Sequence, residues 1–133
     1  MISIFNEVFT LLTNTLQTYD NIIETGNVNT NKPSSYPFVS LEEIENRVYE
    51  QGSDSCQIEN YAEVEYEVNI YTNNPKLKKS KGDAVANVVD NFFNEIGFLR
   101  TTRNTFQNAD ETIYRIIVRY HAIVSKDHTI YRR

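Results

Sequence analysis

Glu63, Glu65 and Glu67 stand at alternate positions of the stretch Tyr61-Ala-Glu-Val-Glu-Tyr-Glu-Val-Asn-Ile-Tyr71. In an extended chain a spacing of two puts all three carboxylates on one face, a supply of oxygen ligands for a divalent cation or of paired acids for acid–base work. Nothing else in the sequence marks a pocket where they would converge, so a solvated or salt-bridged sheet face is the plainer reading. Cys56, His121 and His128 are the remaining residues with metal or nucleophile chemistry. The histidines lie across an expected turn and, with Cys56, lack zinc-site spacing. Cys56 sits in Ser-Asp-Ser-Cys-Gln with no signature of an activated thiol. As the single cysteine it cannot form an intramolecular disulfide and suits a reducing interior. With four glycines there is no phosphate-cradling loop. The expectation is a chain without catalytic residues, metal or cofactor.

Basic residues cluster at Lys76, Lys78, Lys79 and Lys81, and again at Arg115, Arg119, Lys126, Arg132 and Arg133. Such clusters grip phosphates or an acidic partner surface, although solvated faces are the commoner explanation. The formal net charge of -5 argues against a protein whose main task is holding nucleic acid. Tyr114, Tyr120 and Tyr131 are expected to alternate into the core, which removes them as a base-stacking platform.

The elements that position these residues follow from periodicity. Ala62, Val64, Tyr66, Val68 and Ile70 alternate with the glutamates, giving a strand with one apolar and one acidic face. Phe5, Val8, Phe9, Leu12, Leu16, Tyr19 and Ile23 draw a helical stripe, with Ser3 as N-cap and Gly26 as the stop. Asn27 to Ser35 reads as a loop. Tyr36 to Ile44 reads as a strand near an edge, with a helix from Ser40 capped by Glu43 as the rival. Polar sequence follows to Asn60, with a turn at Gly52 to Ser55. Asn73 to Ser80 reads as a projecting lysine-rich loop. Ser80 and Asp83 then open a helix carrying Val85, Val88, Val89, Phe92, Phe93 and Ile96 on one face, with Gly97 at its C-terminal cap.

Phe98 to Phe106 reads as a short strand and Gln107 to Asp110 as a turn. Glu111 to Ser125 is the longest strand: Tyr114, Ile116, Val118, Tyr120, Ala122 and Val124 face one way, and Ile113, Arg115, Ile117, Arg119, His121 and Ile123 the other. Its mixed second face implies an interior position or partial burial in an assembly. After a turn at Ser125 to His128, Thr129 to Tyr131 returns as a last short strand.

The 133 residues make one expected domain, 1–133, large enough to bury roughly two thirds of the unfolded surface. Met1 to Leu12 lacks the basic start and cleavage pattern of a signal peptide. No apolar run reaches the ~20 residues of a membrane helix, so a soluble protein is expected. The element order gives an α+β fold: a mainly antiparallel sheet of four to five strands with two helices on one face. If the two best strands are neighbours, Glu63, Glu65 and Glu67 share a face with Arg115 and Arg119. Charge pairs would then form within the sheet or between subunits, and Glu65→Lys should lower stability.

With the N-terminal helix, Tyr36-Pro-Phe-Val-Ser40, the Glu-rich strand ending Val68-Asn-Ile-Tyr71, the helix closing as Ile96-Gly97-Phe98, and Ile113-Tyr-Arg-Ile-Ile-Val-Arg-Tyr120, the chain resembles the tail-terminator and tail-completion (neck) proteins of tailed bacteriophages along nearly its whole length. The motifs are structural patterns rather than catalytic signatures. The resemblance implies a virion protein, assembled in the bacterial host cytoplasm, whose subunits form a ring, usually a hexamer. Such a ring caps the tail tube and joins it to the head–tail connector, with DNA at most passing through. The same class occurs in phage-derived headless tail particles. It implies no catalytic residues. Lys76, Lys78, Lys79, Lys81, Tyr131, Arg132 and Arg133 are the candidate assembly contacts. A head-closure protein and a small nucleic-acid-binding module are the alternatives.

Overall fold

The computed structural model describes residues 2–27, 33, 35–48, 61–107 and 112–131. Cys56, Arg132, Arg133, the expected turn at 52–55 and most of the one at 107–110 lie outside the described residues. The elements are α1 (Phe5–Tyr19), β1 (Glu24–Gly26), β2 (Phe38–Val48), β3 (Tyr61–Thr72), α2 (Lys78–Ile96), β4 (Leu99–Gln107), β5 (Tyr114–Ser125) and β6 (Ile130–Tyr131). The strands form one sheet in the order β1-β2-β3-β5-β4, with β6 pairing β5. Among the described residues only β1 and β2 run parallel, and every other pair is antiparallel. The fold is α+β as expected, and the two very short strands raise the sheet to six.

In β3 and β5 the even-numbered residues form the core face. Ala62, Val64, Tyr66, Val68, Ile70, Ile116, Val118, Tyr120, Ala122 and Val124 are all buried. Both helices cover this face. Val8, Leu12 and Leu16 of α1 recur every four residues, so one stripe is buried. From α2 come Val85, Ala86, Val89, Phe92 and Phe93. Aromatic rings lock the layers together: Phe5 meets Tyr66 edge-on at 5.9 Å, Tyr66 stacks on Phe98 at 5.3 Å, and Phe93 stacks on Tyr120 at 4.2 Å. Such pairs add to the area they bury. The Tyr120 hydroxyl donates to Asp90 at 3.1 Å, while that of Tyr66 is buried without a partner.

Three element boundaries differ from the sequence expectation. The first helix ends at Tyr19, seven residues before Gly26. Asp20 stops it, because its carboxylate accepts the Ile22 N–H at 3.2 Å and its carbonyl accepts the Ile23 N–H at 3.1 Å. This side-chain-to-backbone turn competes with the helix. Ile23 still reaches the core, but from a turn. Ser3 does not cap, since Ile4 holds the N-cap position without a side-chain hydrogen bond.

The stretch after Tyr36 is a strand rather than a helix from Ser40. It extends to Val48 through a register shift between Glu43 and Glu45.

The lysine-rich loop is shorter than expected. Lys78, Lys79, Ser80 and Lys81 belong to the first turns of α2, and Asn74, not Ser80, organises that end. Its side-chain oxygen accepts from the backbone of Lys76 and Leu77 (3.0 and 2.9 Å), and its carbonyl from Lys78. Asp83 turns instead to the sheet, accepting from Tyr114 at 3.1 Å and Arg103 at 3.0 Å.

Gly97 closes α2 as expected, at φ 103°. Its N–H reaches the Asn94 carbonyl and that of Phe98 the Phe93 carbonyl, which is the Schellman arrangement.

Candidate functional site

The sheet face opposite the helices carries the odd-numbered residues of β3 and β5, where all three glutamates lie. The strand neighbours are β2 on one side and β5 on the other. Across from Glu63 stand Arg47 and Ile123, across from Glu65 stand Glu45 and His121, and across from Glu67 stand Glu42 and Arg119. Glu63 is the buried member of the three, at 7% exposure. Arg47 Nε donates to its Oε2 at 3.0 Å, and His121 Nε2 lies 2.7 Å from its Oε1. The hydrogen bond from Arg47, opposed by burial and aided by His121, holds the Glu63 carboxyl down at about 2. Arg47 also bonds Glu45 at 2.7 Å.

Arg119 approaches Glu67 at 3.7 Å, a looser contact at the surface. Arg115 does not reach any of the three glutamates through a described contact. It is buried opposite Tyr71, where its Nε and one terminal nitrogen donate to Asn69 Oδ1 at 3.0 and 2.8 Å. Its guanidinium also lies over the rings of Tyr71 (5.2 Å) and Phe106 (4.9 Å). A planar, weakly hydrated cation is suited to such a slot, and lysine is not.

Register alters one expectation. Glu65 faces Glu45 rather than an arginine, so Glu65→Lys would exchange a like-charge pair for an opposite one. The expected loss of stability becomes a gain or no change.

Arg47, His121 and Asn69 are the partners that sequence reasoning missed. His121 and Asn69 were within reach of the alternation, since both share the parity of the glutamates. Arg47 was not, because the register shift between Glu43 and Glu45 breaks the count along β2.

Of the candidate assembly contacts, Lys76, Lys79 and Lys81 are exposed and Lys78 is half-buried at the start of α2. Tyr131 corrects the expectation that it faces the core: it is exposed, on the helix-free side, with its ring 6.1 Å from Tyr61. Tyr114 and Tyr120 do face the helices. The lysine end and the Tyr131 end are separate regions of the surface, each beside a shallow cleft. The first cleft, about 260 Å³, is lined by Ile22, Tyr36, Pro37, Thr72 and Lys81 among others. The second, about 330 Å³, is lined by Tyr61, Ser125, Lys126, Asp127 and Tyr131. Neither contains Glu63, Glu65 or Glu67. Among the described residues no group of three or more His, Cys, Asp or Glu is placed to hold a metal ion, and no helix is long and apolar enough to cross a membrane. His128 lies apart from His121 and meets Glu7 of α1 at 2.7 Å.

What this arrangement offers is a broad face of mixed charge with an acidic excess toward β2.

No protein-family model matches the chain, and no curated protein matches it in sequence. Among solved structures, its fold is similar to that of a chain from the virion of a native gene transfer agent particle. The TM-score is 0.57 at 14% sequence identity, over 86% of this chain and 84% of that one. The shared architecture therefore spans most of both chains.

Proposed function

We propose that this chain is a structural component of a phage-like virion, and more narrowly a tail-terminator or tail-completion subunit. In this reading copies of the chain form a ring, a hexamer as is usual for the family it resembles, that caps the tail tube and joins it to the neck. The observation that carries the reading is a fold shared over most of the chain with a virion chain of a gene transfer agent particle. The helix-free face supports it, because a broad charged surface suits assembly. The role is then architectural, exercised in the virion through contacts with other copies, the tube protein and the connector.

Glu42, Glu45, Glu63, Glu65 and Glu67 outnumber Arg47, Arg115 and Arg119 on the helix-free face. An acidic surface repels phosphates, which suits a ring that DNA traverses without sticking. It disfavours the nucleic-acid-binding alternative. The test is to mix the protein with the tail-tube protein of its own particle and image the tubes by negative-stain electron microscopy. Tubes capped at one end support the terminator role. Uncapped tubes, with binding to connector rings instead, would reassign the chain to head closure.

A further inference from the structure

Lys76, Lys78, Lys79 and Lys81 crowd together in a chain whose formal net charge is -5. No acidic residue stands between Glu67 and Asp83, and Asp83 is held by Arg103 and Tyr114 of the sheet. Lys76, Lys79 and Lys81 are exposed, and their side chains have no ion pair or hydrogen bond among the described residues. Like charges that nothing neutralises raise the local potential and favour an anionic neighbour.

Apolar groups lie among these charges. Leu77 is 49% exposed and Ile22 57%. Ile22 lines the shallow cleft of about 260 Å³ together with Tyr36, Pro37, Pro75 and Lys81. Lys81 stands one helical turn after Leu77, whose carbonyl accepts its N–H at 2.8 Å, so the two side chains share a face. The turn that presents them is fixed before any partner arrives. Asn74 Oδ1 accepts from the Lys76 and Leu77 N–H groups at 3.0 and 2.9 Å, and Thr72 Oγ1 donates to the Lys78 carbonyl at 2.6 Å. Little ordering is then left to oppose binding.

We infer that this lysine-bordered cleft is a docking site for an acidic polypeptide segment in which apolar side chains alternate with carboxylates. That the segment belongs to a neighbouring virion protein rests on the reading above; the chemistry of recognition does not. Its apolar groups cover Ile22, Leu77 and the two prolines, while its carboxylates reach Lys76, Lys79 and Lys81. Two other occupants suit the surface less. Nucleic acid would satisfy the lysines but leave Ile22 and Leu77 uncovered, and the charge of the whole chain opposes it. A second copy keeps Glu45, Glu63 and Glu67 bonded to its own Arg47 and Arg119, so those carboxylates are already engaged.

Fluorescence anisotropy with a labelled peptide that alternates leucine with aspartate tests the site. Two companion peptides separate charge from apolar contact, one with asparagine for aspartate and one with glycine for leucine. The first peptide should bind wild type at least about tenfold tighter than either companion. That advantage should vanish in Lys76→Gln/Lys79→Gln/Lys81→Gln, which removes only exposed charges. It should vanish also in Leu77→Ser, which places a preferred helix-capping residue at the N-cap of α2 and so keeps the fold. Unchanged circular dichroism verifies both variants. Equal affinity for the glycine companion would reduce the attraction to bulk charge and overturn the site, as would wild-type affinity in either variant. Tighter binding of duplex DNA that the lysine variant loses would assign the cluster to nucleic acid, and self-association of wild type that both variants lose would assign the cleft to a second copy; either result overturns the proposal. Capping of tail tubes is read separately: bare tubes sink the ring reading and leave the peptide site standing, whereas failure of the peptide leaves the ring reading untouched.

Discussion

Glu63 is held by Arg47 and His121 on a face that solvent otherwise reaches. Its carboxyl titrates at about 2, below the ordinary 4.5, so the native state binds this proton less readily than the unfolded chain. The stabilisation is therefore complete above the unfolded value and disappears as pH falls toward 2. Glu63→Gln should cost about 1 kcal/mol at pH 7, modest because Arg47 is half exposed. Urea unfolding at several pH values checks this: the gap between the proteins should narrow below pH 4.5. Arg115 makes a different prediction. Arg115→Lys keeps the charge but loses the paired bonds to Asn69 and the ring contacts, and should cost about 1–3 kcal/mol in the same assay. Part of this was legible beforehand. Alternation placed the glutamates and arginines on one face, and Glu67 does approach Arg119. Which glutamate is buried, and by which arginine, depended on a register shift that no spacing rule reveals.

At the scale of elements, periodicity located both helices and the long strands because each buries one clear stripe. It was weakest where a side chain bonds local backbone. Asp20 ends α1 early and Asn74 starts α2 early, and both act through turn geometry rather than hydrophobic pattern. Gly97 was readable because its role is positional. Its φ of 103° and a Cβ that would sit 3.2 Å from Ile130 Cγ2 predict that Gly97→Ala lowers stability by about 1–2 kcal/mol, measurable as a lower Tm. Strand pairing predicts the opposite sign for Glu65→Lys. Facing Glu45, the new lysine should leave Tm unchanged or raise it, with a gain of up to about 1 kcal/mol; a clear loss would contradict the register.

For the molecule as a whole, the α+β class and the placement of both helices on one face followed from element order and strand parity. The small strands β1 and β6 did not, since two or three residues carry no periodic signal. The proposed function came only through the resemblance of the whole pattern to a family, because no stretch of the sequence carries a catalytic signature. As proposed above, this fold acts as a ring at the end of a tail tube. Negative-stain microscopy of the protein with its own tube protein tests it most directly. A terminator should give tubes of defined length bearing a ring at one end, while tubes of uncontrolled length with bare ends would contradict that role.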